Sequence, residues 1–209
     1  MGRPSRAVLT RERIALAALQ VVDEDGPDGL TMRALAERLG VKAASLYNHI
    51  QSKDELVDAV SGLVNDEIDH TPLGDPDWRA GLAAYARGYR AVFLRHPNAI
   101  ALLARRRVEA ASALRGYNGL LALLGRAGLG PADAAEVAAA VDYLVLGSAV
   151  ETFAAGFTRA PAEYRPEYPA LADALDSSFA RGGGATGLDD RGFELGLGLL
   201  LDGVERRTP

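Results

Sequence analysis

Residues 29–56, GLTMRALAERLGVKAASLYNHIQSKDEL, decide the fold. Leu30, Leu35, Ala36 and Leu39 recur at helical spacing, so one apolar face holds a first helix to a core. Thr31 stands where a side-chain oxygen can cap that helix, and Gly40 supplies the left-handed residue that ends it. Val41 re-enters the core, and Ala43, Ala44, Ser45, Leu46 and Tyr47 form a short second helix. Ser52 then caps a third helix, with Glu55 three residues later completing a capping box. Two short helices around a tight turn make a helix-turn-helix, whose second helix suits the major groove of DNA.

Working outward, the apolar helix ALAALQVVDEDG (15–26) precedes this unit, and SLYNHIQSKDELVDAV (45–60) carries it into the next helix. The order and spacing of these segments resemble the DNA-binding domain of TetR-family transcriptional regulators. Near the other end, FELGLGLLLDGVE (193–205) resembles the closing helix of the tetracycline-repressor branch. A weaker likeness runs back through YLVLGSAVE (143–151) and DWRAGLAAYARGYRAVFLRHP (77–97).

Composition agrees with an all-α protein. Hydrophobic residues make up 48% of the 209 but aromatic residues only 6%, so the core must be built from Ala, Leu and Val. The absence of cysteine excludes disulfides and thiolate metal sites. The N-terminal arginines are followed by no unbroken apolar run of signal-peptide type. The most apolar later stretch, 132–158, is interrupted by Asp133, Glu136, Asp142 and Glu151, too many charges for a membrane span. A soluble, cytoplasmic protein with no membrane contact is therefore expected.

The net charge of −5 argues at first against a nucleic-acid partner, but its distribution does not. Basic residues outnumber acids up to Lys53, and acids outnumber basic residues beyond it. A basic head on an acidic body confines phosphate attraction to one end. The expected division is a three-helix helix-turn-helix domain at 1–53 and a larger helical body at 54–209. In the body, helices are expected over about 52–69, 78–95, 98–104, 107–127, 131–157, 169–180 and 189–206. A proline-rich loop is expected at 159–169 and a flexible glycine linker at 181–187.

The head offers a coherent set of DNA-binding candidates. Arg3 and Arg6 precede the first helix (about 9–25), where an arm can reach phosphate or the minor groove. Lys42 opens the recognition helix, and the small Ala43, Ala44 and Ser45 allow it deep into the groove. The resemblance implies that Thr31, Tyr47, His49 and Lys53 hold phosphates and that Arg33 reaches phosphate or base, with Asn48 beside them. Packing of Tyr47 in the three-helix core is the competing reading, and Lys42 and Lys53 also suit a solvated surface.

For the body, the resemblance implies a small-molecule effector that weakens DNA binding, and a homodimer in which helix 131–157 and the last helix pair with their copies. Glycine inside a helix costs about 1 kcal/mol against alanine, so Gly192, Gly196 and Gly203 imply close approach of another helix. Packing against helix 131–157 of the same chain is the alternative. Candidate effector-binding residues are His70, Tyr85, Tyr89, Phe93, Leu103, Arg107, Tyr117, Tyr143, Leu146 and Glu151. Tyrosines among alanines suit an apolar cavity with hydroxyl handles for an aromatic ligand, although aromatic residues at helical spacing equally suit a core. By likeness to tetracycline repressors, Tyr85 replaces an asparagine, Leu103 the metal-binding histidine and Tyr143 a further histidine, while Glu151 and Arg107 are retained. His70 falls within one residue of another pocket position. Loss of the imidazole at Leu103 argues against a tetracycline–magnesium effector, and no metal or cofactor is expected.

An enzyme is disfavoured. His49, His70 and His96 have no metal-ligand spacing, no GxSxG elbow occurs, and RGGGATG lacks the Lys-Ser/Thr of a phosphate loop. A DNA-binding regulator whose body binds a protein partner or no ligand is the remaining alternative.

Overall fold

The computed structural model describes residues 9–103, 110–150 and 156–207. All regular structure among them is helical: α1 (Arg11–Asp25), α2 (Met32–Leu39), α3 (Ala43–Leu46), α4 (Lys53–Asp66), α5 (Trp78–Arg95), α6 (Pro97–Leu103), α7 (Ala111–Arg126), α8 (Pro131–Val150), α9 (Pro161–Tyr164), α10 (Pro169–Phe179) and α11 (Gly184–Glu205). Single 3-10 turns stand at Pro27–Gly29 and Thr71–Gly74. The chain forms two compact units, one of Met1–His70 with Ala91–Asn118, the other of Thr71–Arg90 with Gly119–Pro209. The boundaries fall inside α5 and α7.

In the first unit the expected caps at Thr31 and Ser52 are present, and Thr10 caps α1, which starts at Arg11 and not near residue 9. Thr10 Oγ1 accepts from the Arg13 N–H, Thr31 Oγ1 from the Ala34 N–H at 3.1 Å, and Ser52 Oγ from the Glu55 N–H at 3.1 Å. The Glu55 carboxylate returns to the Gln51 N–H at 2.7 Å, one residue upstream of the capping-box position, and also meets Arg11 at 2.7 Å. Gly40, at φ 65° and ψ 34°, ends α2 in the left-handed conformation and donates to Ala36 and Glu37. Ile14, Ala18 and Val22 of α1 are buried together with Leu30, Leu35, Leu46, Ile50, Leu56, Val60 and Val64. The anticipated face of α2 is thus confirmed, with Leu39 only half-buried.

In the second unit, α8 and α11 pack through small and branched side chains, Ala134, Val137, Ala138, Val141, Val145 and Ala149 against Phe193, Leu197, Leu201 and Val204. A Cβ on Gly196 would stand 2.8 Å from Leu144 Cδ1, so that glycine has a partner within the chain. α5 lies against α11 through arginines. Arg79 pairs with Asp202 and Glu205, Arg87 with Glu194 at 2.7 Å, and Arg90 with Asp190 at 2.8 Å. Arg90 is itself buried, its Nε donating to Ser148 Oγ at 3.2 Å and its guanidinium lying 4.7 Å from the Phe193 ring centroid.

Four expectations need correction. α4 stops at Asp66, not near Asp69, where the Glu67 and Ile68 N–H groups turn back to the carbonyls of Val64 and Asn65 in three-residue bonds that close the helix. The glycine run at 181–187 is not a loose linker but a tight corner from which α11 starts at Gly184. Arg191 donates to Gly182 O at 2.8 Å and to Ser178 O at 2.9 Å, and a Cβ on Gly187 would collide with Gly182 O at 2.7 Å. The proline-rich segment 159–169 contains the helical turn α9, whose Tyr164 is buried with Ala172 and Leu175. The expected end of α8 near residue 157 falls partly at 151–155, outside the described residues, and the segment from Gly156 is not α-helical.

Leu35→Ala should cost about 3 kcal/mol of stability, read from the urea midpoint, because the side chain is fully enclosed. A second expectation concerns acid. The Arg87 guanidinium holds the Glu194 carboxyl below the ordinary glutamate range. The stability this pair contributes is therefore complete above about pH 4.3 and is lost as pH falls through the lower folded-state value. Glu194→Gln should shrink the fall of Tm on acidification and leave the shape of the neutral limb unchanged, as read by calorimetry.

Candidate functional site

The helix-turn-helix presents a contiguous polar surface because its apolar side chains are spent on the core. In the segment 42–50, Leu46 and Ile50 are fully enclosed, while Lys42, Ala43, Ala44, Tyr47, Asn48 and His49 are exposed and Ser45 is half-buried. Lys42 occupies the N-cap position of α3 and Tyr47 its C-cap, so α3 is a single turn carried into 47–49. Tyr47 is 51% exposed, which removes it from the three-helix core. Thr31 is exposed, and because its oxygen accepts in the α2 cap, its hydroxyl proton remains available to an acceptor. Lys53, the first residue of α4, is exposed as well.

Not all the basic residues of the head are equivalent. Arg38 is tied to Glu24 of α1, and Arg11 to Glu55 of α4, so both join helices. Arg33 pairs one turn along its own helix with Glu37 at 3.1 Å, with both side chains largely in solvent, an arrangement of little energetic weight. Arg3 and Arg6 lie outside the described residues. Arg38 and Arg11 had no sequence signal separating them from the other arginines, since their partners lie 14 and 44 positions away.

The effector candidates divide between the two units. In the first, Phe93 is buried, while His70, Leu103 and Tyr117 are half-buried. His70 lies over α7, where a Cβ on Gly116 would meet its Nε2 at 2.8 Å. In the second, Tyr85 and Tyr89 are buried side by side with ring centroids 5.8 Å apart. Burial, reinforced by Asp142, pushes the Tyr85 phenol above its ordinary range. Leu146 is half-buried, and Tyr143 is 76% exposed at the rim of a cleft of about 390 Å³ between α8 and α11. Ser148 and Phe193 also line that cleft. Arg107 and Glu151 lie outside the described residues.

No helix among the described residues is long and apolar enough to cross a membrane. No group of three or more His, Asp or Glu side chains among them is arranged to hold a metal ion.

Two family descriptions match this arrangement in order, "Bacterial regulatory proteins, tetR family" over residues 14–60 and "Tetracyclin repressor-like, C-terminal domain" over 71–208. The class A tetracycline repressor of transposon 1721 from Escherichia coli is 34% identical over 197 residues, covering 91% of this chain and 88% of the repressor. Among solved structures, apo ActR from Streptomyces coelicolor superposes with a TM-score of 0.78 at 27% identity, covering 96% of each chain. ActR in complex with actinorhodin gives 0.73 at 26% identity, over 97% of this chain and 98% of that one. From the capped, exposed helix-turn-helix at one end to the α8–α11 pair at the other, the chain belongs to the TetR family of transcriptional regulators.

Proposed function

We propose that the chain is a homodimeric repressor that binds a palindromic operator through residues 1–53 and is released from it by a small aromatic effector held in residues 54–209. The observation that carries this reading is the surface of segment 42–49, where lysine, small residues and hydrogen-bonding side chains face outward from a base of buried Leu46 and Ile50. Lys42, Ala43, Ala44, Ser45 and Asn48 meet the groove. Thr31, Arg33, Tyr47, His49 and Lys53 hold the flanking phosphates, with Arg3 and Arg6 as the arm.

Dimerisation through α8 and α11 is supported by apolar side chains left in solvent on those two helices: Tyr143, Val150, Leu195 and Leu199, all more than half exposed. Two heads about 34–36 Å apart reach successive major grooves, which accounts for a palindrome. The buried pair Tyr85 and Tyr89, with ring centroids 5.8 Å apart, supports an apolar wall with hydroxyl donors for an aromatic ligand. A relative solved with actinorhodin supports that ligand class. Leucine at 103 supplies no metal ligand, so a magnesium-bridged effector is not part of the proposal. The protein works in the cytoplasm, where its DNA is.

Selection of duplexes from random-sequence DNA, followed by footprinting, tests the reading: a protected palindrome with steep salt dependence is expected, and no enrichment would defeat it. Lys53→Ala should weaken binding and make the log–log salt slope shallower by about 1. The pair Leu195→Glu and Leu199→Glu should sediment as a folded monomer and give no palindromic footprint. A variant that remains dimeric would move the interface elsewhere.

A further inference from the structure

α1 and α4 both end against the rule for helix charges. The last turn of α1 carries Asp23, Glu24 and Asp25 and no basic residue, and α4 runs into Asp66 and Glu67, also with none. Carboxylates at a helix C-terminus oppose the dipole and crowd the unsatisfied carbonyls. Arg38 of α2 pairs with Glu24, and Asp23 and Glu67 are met from the corner between α5 and α6. His96 Nδ1 lies 2.9 Å from Asp23 Oδ2, and His96 Nε2 lies 3.2 Å from Glu67 Oε1. Arg95 adds a 2.7 Å pair to Glu67, and the Asn98 amide donates to the Asp23 carbonyl at 3.0 Å.

The site is enclosed enough for these contacts to matter. The His96 side chain is 14% exposed, and Asp23 Oδ1 is buried with no hydrogen-bond partner among the described residues. Carboxylates only accept, so the ring satisfies both when each nitrogen carries a proton. Arg95 foremost, with His96 adding to it, holds the Glu67 carboxyl below its ordinary range. α6, which starts at this corner, packs on α1, on α4 and on the turn at 27–29. One imidazole therefore joins the ends of the two helices that flank α2 and α3.

We propose that His96, assisted by Asn98, is a positioning residue for operator binding, pinning the C-terminal turn of α1 to that of α4 so that the helix-turn-helix between them is presented in one geometry. The proposal rests on the operator-binding reading above. Removing the bridge leaves every residue of the DNA-facing surface in place but lets α1 and α4 drift apart. The cost appears as affinity lost uniformly across operators.

The test compares wild type, His96→Gln, Asp23→Asn and the double variant on a duplex enriched by the wild-type protein from random-sequence DNA. Each single variant should bind about tenfold more weakly, with an unchanged fraction of active protein and an unchanged salt slope. The double variant should lie within about twofold of the weaker single, because the two residues act through one contact. In DNA-free His96→Gln, hydrogen exchange over residues 22–26 should accelerate about tenfold. Unchanged affinity, or losses that multiply in the double variant, would overturn the proposal. Should the wild type enrich no duplex, the operator reading fails, and exchange alone decides the bridge: acceleration upholds it and unchanged protection overturns it.

Discussion

Burial of α1 is the constraint on which the first unit depends. Seven of its residues, from Ile14 to Val22, are enclosed, and α2, α4, α6 and the turn at 27–29 all pack on it. Helices as short as α2 and α3 have little stability of their own, since nucleation is unfavourable and their few hydrogen bonds do not offset it. Their positions are therefore set by what they bury: Leu35 and Ala36 from α2, Leu46 from α3, and Ile50 just beyond it. Once those side chains are committed inward, the remaining positions of segment 42–49 have only solvent to face. The outward surface is thus a consequence of the core beneath it.

The second unit is organised differently. α8 is rich in alanine and valine, and these small side chains meet Phe193, Leu197, Leu201 and Val204 of α11 in a contact that specifies register weakly. Arg79, Arg87 and Arg90 on α5 pair with Asp202, Glu194 and Asp190 on α11 in reverse order, which defines an antiparallel alignment. Exposed pairs of this kind contribute little to stability individually. Arg90 is the exception in kind. Buried, bonded to Ser148 and Asp190 and seated over Phe193, it links α5, α8 and α11 with one guanidinium.

The head was legible because its signals are local. Thr31, Gly40 and Ser52 act within four residues of where they stand, and the apolar periodicity of α2 needs no partner to be recognised. The features that sequence reading misjudged depend on distant groups. RGGGATG has the composition of a linker, and only the return of Arg191 to Gly182 and Ser178 makes it a corner. Arg11 and Arg38 counted towards a basic head, yet their partners hold them as helix ties. Tyr47 had two readings that composition could not separate, and the burial of Leu46 and Ile50 on either side of it put it in solvent. The effector candidates were drawn by likeness as one group, but the fold distributes them over two units, so periodicity alone had no means of assembling them.

Small residues on the recognition segment constrain how an operator can be discriminated. Bidentate base reading needs a planar, branched polar end such as that of Arg, Asn or Gln. Within 42–49 only Asn48 has one, beyond the end of α3. Ala43 and Ala44 can touch a thymine methyl but cannot tell guanine from adenine through hydrogen bonds, and Lys42 is a point charge on a flexible stem. A head that read DNA through this segment would gain its affinity chiefly from phosphates and part of its selectivity from groove shape, because the absence of long side chains would let the backbone of α3 approach closely. Shape is read only if the reading surface is rigid. The selectivity of such an operator-binding head would then depend on the fixity of α1 and α4 as much as on the residues that face the bases.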